Sequence, residues 1–403
     1  MSGQGFNSVT AKKFAVATFL NGDYSRAAPV VSSFYKIVDM QKHPREDAVR
    51  FLISESSIYD TFPKLLRELA KVGMIATAKR ARYESRLMPT LSSSTLTVEN
   101  GVVVTVSKLM RARPRNRYLA YLPAMLFAAT LAVVFIDGMY RADSDFARVF
   151  IRDPFLLAAV YTMSLMGILG VHEMGHMIAN KWHGIRTSWP YFIPFIPGFF
   201  IPTLGALIVT RSNMTNRNVL FDVGISGPIA GLIVTMIVSV YGSYTSILIP
   251  AEEAEDLLEG LQLMPLNSSI LMMATHYLAG NGDANGDAVL VMSPVLFAAW
   301  VGFFITFLNL MPAAQLDGGH ILRATLGIRW HRILTYSSVG VLAGLGYFVM
   351  AFLVLLIASR APESTPLDDV SPLSKKRRAL FWVAMALAVL CAPLPAQPFR
   401  PLF

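Results

Sequence analysis

The residues best suited to chemistry in this chain are two histidines and a glutamate in HEMGH, residues 172–176. Positions i and i+4 of a helix share a face, so His172 and His176 can hold one metal ion. Glu173 is offset around the helix, where it can take a proton from the attacking water without binding the metal. The spacing predicts metal-assisted hydrolysis. The alternative is a pair of histidines satisfied by neighbours on their own helix.

A catalytic zinc site usually has three protein ligands and one open position. The best candidate for the third ligand is Asp317, in NLMPAAQLDGGH at residues 309–320. It follows an apolar run that Pro312 interrupts, and the glycines at 318–319 let the backbone approach closely. His183 is a weaker candidate, because it comes after the predicted end of the HEMGH helix. A helix or turn cap is the alternative role for Asp317.

The composition predicts an integral membrane protein. Of the 403 residues, 54% are hydrophobic and only 15% are charged, against about 25% charged in an average soluble protein. The net charge of +9 fits basic cytoplasmic loops and anionic lipid better than nucleic acid. The single cysteine, Cys391, excludes an intramolecular disulfide and a cysteine-based zinc site.

The apolar residues gather in runs long enough to cross a bilayer, which takes about 20 residues each. A further apolar stretch, Trp189–Thr210, contains four prolines, which block helix interiors. We expect it to form a re-entrant hairpin that lines the protein interior. The fold class is therefore an α-helical polytopic membrane protein with about six transmembrane helices. The six predicted spans are Tyr118–Tyr140, Phe155–Asn180, Val219–Ile249, Val289–Met311, Ile333–Ile357 and Phe381–Pro395.

The first 117 residues have the pattern of a small soluble α+β domain without a catalytic motif. Ser57–Val72 predicts an amphipathic helix that ends at Gly73. Strands are predicted at Ala48–Ile53, Met74–Lys79 and Thr95–Val106, the last with a turn at Glu99-Asn100-Gly101. Residues 118–395 would form the transmembrane domain, with its core at 118–357, and residues 396–403 a short C-terminal tail.

Loop charges predict the orientation. Residues 101–117 and 181–218 are basic, whereas 250–288 is acidic and has no Lys or Arg. This places the N-terminal domain in the cytoplasm and the acidic loop outside. At 1.5 Å per residue, the HEMGH motif and Asn309 then both lie toward the cytoplasmic side. With six spans, however, the basic residues 375–378 fall outside, so the side of the C-terminus stays open.

The two motifs together resemble those of the site-2 protease family of intramembrane zinc metalloproteases. The resemblance covers roughly residues 118–357 and is greatest to the archaeal and chloroplast branch. It implies Zn²⁺ bound by His172, His176 and Asp317, with Glu173 as the catalytic residue. It also implies that Asn309 helps to hold the substrate carbonyl or the oxyanion.

The resemblance extends to two further segments. The family's membrane hairpin matches the stretch around Gly205, Ala206 and Leu207, where an extended substrate could add a strand. Ser226-Gly227-Pro228, with Gly231, matches the small-residue motif of the family's third core helix, which suits close helix packing.

The resulting prediction is hydrolysis of peptide bonds in transmembrane substrate helices within the lipid bilayer. A metal-ion transporter is one alternative, and a proteolytically inactive scaffold of the same fold is another. A transporter predicts ligands spread along a path, whereas here they converge at one depth beside a glutamate. The sequence identifies neither the substrate nor the oligomeric state.

Overall fold

A four-stranded antiparallel sheet forms the centre of the N-terminal part of the chain. The computed structural model describes residues 23–43, 46–85, 96–109, 120–143, 151–198, 201–210, 212–250, 266–280, 288–360 and 365–393. The strands are arranged in the order β1-β2-β4-β3. Their bounds are β1 Ile37–Lys42, β2 Ala48–Ile53, β3 Met74–Ser85 and β4 Leu96–Lys108.

Two helices, α1 (Ala27–Phe34) and α2 (Phe62–Lys71), accompany this sheet. The apolar stripe of α2 is buried in the same core as the sheet, as its period of 3.6 requires. The predicted helix from Ser57 is too long at its start. Helix α2 begins at Phe62 because Pro63 favours the first helical turn.

The predicted turn at residues 99–101 is wrong. Strand β4 continues through these residues, and its partner β3 runs alongside for its whole length. The register shifts between the pairs Ala81–Gly101 and Tyr83–Val98, so one extra residue of β4 is taken up as a bulge. The turn-forming Glu-Asn-Gly sequence therefore marks the bulge rather than a hairpin.

Two segments distant in sequence complete this N-terminal unit, which comprises residues 1–114, 214–217 and 365–373. The edge of β3 is extended at Ala78, whose N–H donates to the Leu367 carbonyl at 2.7 Å. The N–H of Asp368 in turn donates to the carbonyl of Thr215 at 2.8 Å. Composition alone does not indicate these additions.

The second unit comprises residues 115–213, 218–364 and 374–403. Among the described residues, three helices are long and apolar enough to cross a membrane, namely α3 Leu122–Ala142, α4 Pro154–Trp182 and α5 Arg217–Tyr244. The count of six spans stays a prediction. The other described helices of this unit are α6 Ile270–Leu278, α7 Pro294–Leu310, α8 Asp317–Leu326, α9 Ile328–Gly344, α10 Phe348–Arg360 and α11 Lys375–Cys391.

The predicted span Ile333–Ile357 is not one helix. It divides between α9 and α10 at Gly346, whose φ of 86° suits glycine but not a continuing helix. Helices α9 and α10 pack against each other. The segment therefore forms a pair of helices, although its hydropathy resembles that of a single span.

Two other predicted spans are shorter than expected because residues at one end of each span pair as strands. Strand β7, Ile247–Pro250, follows α5 and pairs antiparallel with β8, Ala288–Val291, which precedes α7. The predicted spans to Ile249 and from Val289 therefore each include strand residues. Most of the acidic loop between these strands, and the predicted tail 396–403, lie outside the described residues.

The proline-rich stretch forms a hairpin, as expected. Strands β5, Tyr191–Pro194, and β6, Thr203–Leu207, pair antiparallel, with Phe192 opposite Ala206. Strand β5 packs against α3, and β6 contacts α4. Thr203 Oγ1 donates to the Ile193 carbonyl at 2.8 Å and supplements a short ladder that prolines interrupt.

Helices α4 and α7 run in the same direction. A Cβ placed at Gly302 of α7 would lie 3.1 Å from Ile168 of α4. Further along both helices, Asn309 approaches His172. The parallel arrangement brings the ends of the two motif-bearing segments to the same level of the bundle.

Candidate metal centre

The two histidines of HEMGH lie on one face of α4. The helix begins after Asp153, whose carboxylate accepts the Phe155 N–H, and ends before Gly184. His172 lies about 15 Å from the C-terminal end of the helix. The Nε2 atoms of His172 and His176 are 3.2 Å apart. Both side chains are buried, so the histidines face the protein interior.

Asp317 completes the group at the start of α8. Its Oδ2 lies 3.4 Å from His172 Nε2 and 3.2 Å from His176 Nε2. The N-cap position of α8 is Leu316, and no side chain caps the helix there. Asp317 therefore turns its carboxylate to the histidines, as predicted from the motif pair, rather than capping its own helix.

The glycines after Asp317 allow this placement. A side chain at Gly318 would collide with the Leu310 carbonyl, and one at Gly319 with the Ala314 carbonyl. Helix α8 thus folds back tightly on the end of α7. The close approach predicted for the two glycines is confirmed.

The three donor atoms fit a zinc ion. Bonds of about 2.0–2.2 Å to nitrogen and oxygen in a tetrahedron place neighbouring ligand atoms about 3.3–3.5 Å apart. The separations between His172, His176 and Asp317 are 3.2, 3.4 and 3.2 Å. Two imidazoles and one carboxylate are also a donor set that zinc accepts, and they leave one position open.

The His176 ring is oriented from α5. Its Nδ1–H donates to the Val223 carbonyl at 2.8 Å, which leaves Nε2 directed at the other two ligands. Such a hydrogen bond on the outer ring nitrogen fixes the tautomer that binds a metal. Sequence reasoning missed Val223, because a backbone carbonyl can be supplied by any residue type.

The small-residue motif of α5 packs directly against both histidines. A Cβ at Gly227 would overlap the His176 ring, and a Cβ at Gly231 would lie 3.0 Å from His172 Cβ. On the histidine helix α4, a Cβ at Gly175 would in turn lie 2.6 Å from the Ser226 carbonyl of α5. The expected close packing is confirmed, and its role is to admit the imidazoles between α4 and α5.

Glu173 and Asn309 border the three ligands. Glu173 is 7% exposed and interacts electrostatically with His176 and Asp317 without being one of the three converging ligands. Asn309 Nδ2 lies 3.3 Å from His172 Nε2. A carboxylate and an amide donor therefore stand beside the metal-binding atoms.

The other sequence candidates occupy different positions. His183 Nε2 pairs with Asp222 Oδ2 at 3.0 Å, beyond the end of α4. Gly205, Ala206 and Leu207 lie in β6, where Ala206 packs against the core and Leu207 is exposed.

Residues 160–354, which include all five predicted metal-site and catalytic residues, match peptidase family M50. The chain is 28% identical over 242 residues to a probable chloroplastic zinc metalloprotease, EGY1, of Arabidopsis thaliana, covering 59% of this chain and 43% of that protein. It is 30% identical over 242 residues to EGY1 of Oryza sativa subsp. japonica, covering 59% and 41%. With EGY2 of Arabidopsis thaliana the identity is 27% over 240 residues, covering 57% and 40%.

The matched part of the chain therefore spans only about two fifths of the length of these curated relatives. No solved structure matches.

Proposed function

We propose that this chain, whose residues 160–354 match peptidase family M50, is a member of the site-2 protease family and an intramembrane zinc metalloprotease. The observation that carries the proposal is the convergence of His172, His176 and Asp317 beside Glu173 in a buried site. Ionisable groups are costly within apolar spanning helices and mark function there.

The residues around the site have separate proposed roles in peptide hydrolysis. A zinc ion held by the three ligands would polarise the scissile carbonyl and make water more acidic. Glu173 would take the proton of the attacking water and pass it to the leaving amine. Asn309, whose amide donor lies beside His172, would stabilise the negative charge that develops on the carbonyl oxygen.

The substrate would be a transmembrane segment that unwinds before cleavage. A helical peptide bond is shielded by its own hydrogen bonds, whereas an extended segment exposes its carbonyls. Strand β6, with Gly205, Ala206 and Leu207, pairs with β5 alone among the described strands and is the proposed docking edge. Addition of a strand there would supply main-chain hydrogen bonds without requiring a particular sequence.

The proposed orientation has the N-terminal domain and the basic segment 375–378 on the cytoplasmic side. Arg377 makes a bidentate ion pair with Asp222, in which Nε lies 2.6 Å from Oδ1 and Nη2 lies 2.6 Å from Oδ2. Asp222 also pairs with His183. The start of α11 thus meets the end of α4 and the start of α5. Because α9 and α10 are a helix pair, residues 375–378 can return to this side and follow the positive-inside rule.

The two alternatives are less well supported. A metal transporter needs ligands along a path, whereas the described ligands converge within 4.8 Å of one another. An inactive scaffold of this fold is expected to lack a ligand or the glutamate, and this chain retains all four residues.

The test is cleavage of transmembrane peptides by purified protein reconstituted in lipid vesicles, with zinc content measured on the same preparation. We expect about one zinc per wild-type chain and specific cleavage products. Glu173→Gln should keep zinc and lose cleavage by about 10²–10⁴-fold, because it cannot accept the proton. Glu68→Gln is the matched control, because it makes the same substitution in an exposed salt bridge with Lys71.

Full activity in the zinc-loaded Glu173→Gln protein would rule out the proposed base. Loss of zinc in that variant would make Glu173 a ligand or a support for one.

A further inference from the structure

A second buried acidic residue lies in a spanning helix outside the metal site. Asp137, in α3, has no exposed side-chain surface. A carboxylate at such a position is costly and marks function by default. The hydrolysis mechanism does not use it, so its role must be sought in its contacts.

The Asp137 carboxylate accepts four hydrogen bonds from three residues. Oδ2 accepts from Arg141 Nε at 2.7 Å and from Tyr161 Oη at 2.6 Å. Oδ1 accepts from Arg141 Nη2 at 3.2 Å and from the Gly198 backbone N–H at 2.8 Å. With four donors its acceptor capacity is filled, so it acts in the structure as a fixed anionic acceptor.

These partners come from separate parts of the unit. Tyr161 is on α4, the helix of the two histidines, and a Cβ at Gly138 would lie 2.7 Å from its ring. The Arg141 guanidinium lies 4.1 Å from the ring centroid of Phe297, on the helix that also carries Asn309. The cluster therefore joins α3 to both helices that hold catalytic groups.

The third partner, the Gly198 amide, is the one that lies outside the helices. Gly198 lies in the connection between β5 and β6, with a φ of 76°. An isolated two-stranded hairpin is marginally stable at best, and the register here breaks between Phe192 and Pro194. The hairpin thus depends on outside contacts to hold its position.

We propose that Asp137, held by Arg141, is a positioning residue that fixes the β5–β6 hairpin through the Gly198 amide and so sets the β6 edge for the substrate strand. This inference rests on the proposed function, because it assigns the edge at residues 205–207 to substrate docking. Asp137 acts through the hairpin and does not touch the reacting atoms.

The test replaces the ion pair by apolar residues of similar size, Asp137→Leu with Arg141→Met. Removal of both charges leaves no unpaired buried ion, and such replacements are often neutral for stability. Leucine cannot accept from Gly198. Asp153→Asn is the control: it removes an acidic charge at the start of α4, asparagine caps a helix as well as aspartate, and Asp153 bonds its own helix.

Two measurements separate this proposal from the proposed function. Backbone hydrogen exchange of residues 191–207 should become faster by about tenfold or more in the double variant. This factor corresponds to the loss of one charge-assisted hydrogen bond. Exchange around His172 and zinc content should not change. With transmembrane peptides, KM should rise by about the same factor while kcat is retained.

The exchange result decides whether Asp137 anchors the hairpin even if the wild-type protein cleaves nothing, in which case only the proposed function fails. Wild-type hairpin exchange in the folded, zinc-loaded double variant would overturn the anchor. A faster-exchanging hairpin with unchanged KM in an active enzyme would overturn the link to substrate docking.

Discussion

The Nε2 atom of His176 lies 3.2 Å from Oδ2 of Asp317, although the two residues belong to helices that a long stretch of sequence separates. Either group alone could have a structural role. Their separation matches the edge of a zinc tetrahedron, and His172 completes the same triangle. This relationship turns two short motifs into a single site.

Asp317→Ala should remove zinc. The variant keeps only two protein ligands, so zinc content should fall well below one per chain and cleavage should be abolished. Metal analysis of the purified protein measures the first effect, with Asp60→Ala, an exposed position, as the control. Wild-type zinc occupancy in Asp317→Ala would show that another residue, such as His320 or His183, supplies the third ligand.

Asn309→Ala should affect the chemical step. If the amide stabilises charge that develops on the carbonyl oxygen, kcat should fall by about 10²–10³-fold, as for loss of an oxyanion-hole donor. Zinc content should stay at the wild-type value, because Asn309 is not one of the three ligands. A rise in KM with unchanged kcat would instead assign Asn309 to substrate binding.

Gly227→Ala should distort the metal site. The added methyl group would overlap the imidazole of His176. The ring or the α4–α5 contact must then shift, so zinc affinity should fall. Gly340→Ala is the matched control, because a Cβ there meets no atom within 4 Å. Equal zinc affinities in the two variants would show that the ring is free to move.

The loop before Asp317 offers a test by rescue. Ala314 has a φ of 45°, which is strained for a residue with a Cβ by about 1–2 kcal/mol. Its N–H donates to Thr335 Oγ1 at 2.9 Å, and its carbonyl accepts from His331 Nε2 at 2.9 Å. His331→Ala should therefore destabilise the loop and weaken zinc binding.

Ala314→Gly should restore part of the loss in the His331→Ala background, because glycine adopts positive φ without strain. A zinc titration of the four combinations measures the coupling between the two positions. Additive effects would mean that His331 does not hold the loop in its strained conformation.

The orientation can be tested by cysteine labelling on a Cys391→Ser background. Lys181→Cys and Lys376→Cys should react from the same side of the membrane, because the end of α4 and the start of α11 meet at Asp222. Glu255→Cys, in the acidic loop, should react from the opposite side. Labelling of residues 181 and 376 from opposite sides would contradict the contact between these helix ends.

The sequence by itself was enough to predict the chemistry proposed for the site. Residue type and spacing assigned His172, Glu173 and His176, because an i, i+4 pair on a helix needs no tertiary information. Asp317 followed from the need for a third ligand and from the glycines beside it. The site-2 protease resemblance, which those motifs carried, is confirmed by the match to peptidase family M50.

Hydropathy also identified the apolar segments, and the prolines marked the hairpin. It did not show the break at Gly346, because a helix pair and one long span have the same mean hydropathy. Only the structure placed Arg377 against Asp222, which lets the basic segment lie at the end of the bundle where α4 ends and α5 begins.

The tertiary structure alone decided how the site is supported. Val223 acts through its carbonyl, which every residue type offers, and Gly198 through its amide N–H, which every type except proline offers. No sequence motif can therefore identify either contact. Asp137 is visible in the sequence as a charge in an apolar helix, but its partners lie on other elements. The chemistry is local to a few side chains, whereas their positions depend on backbone contacts that form only when the chain folds.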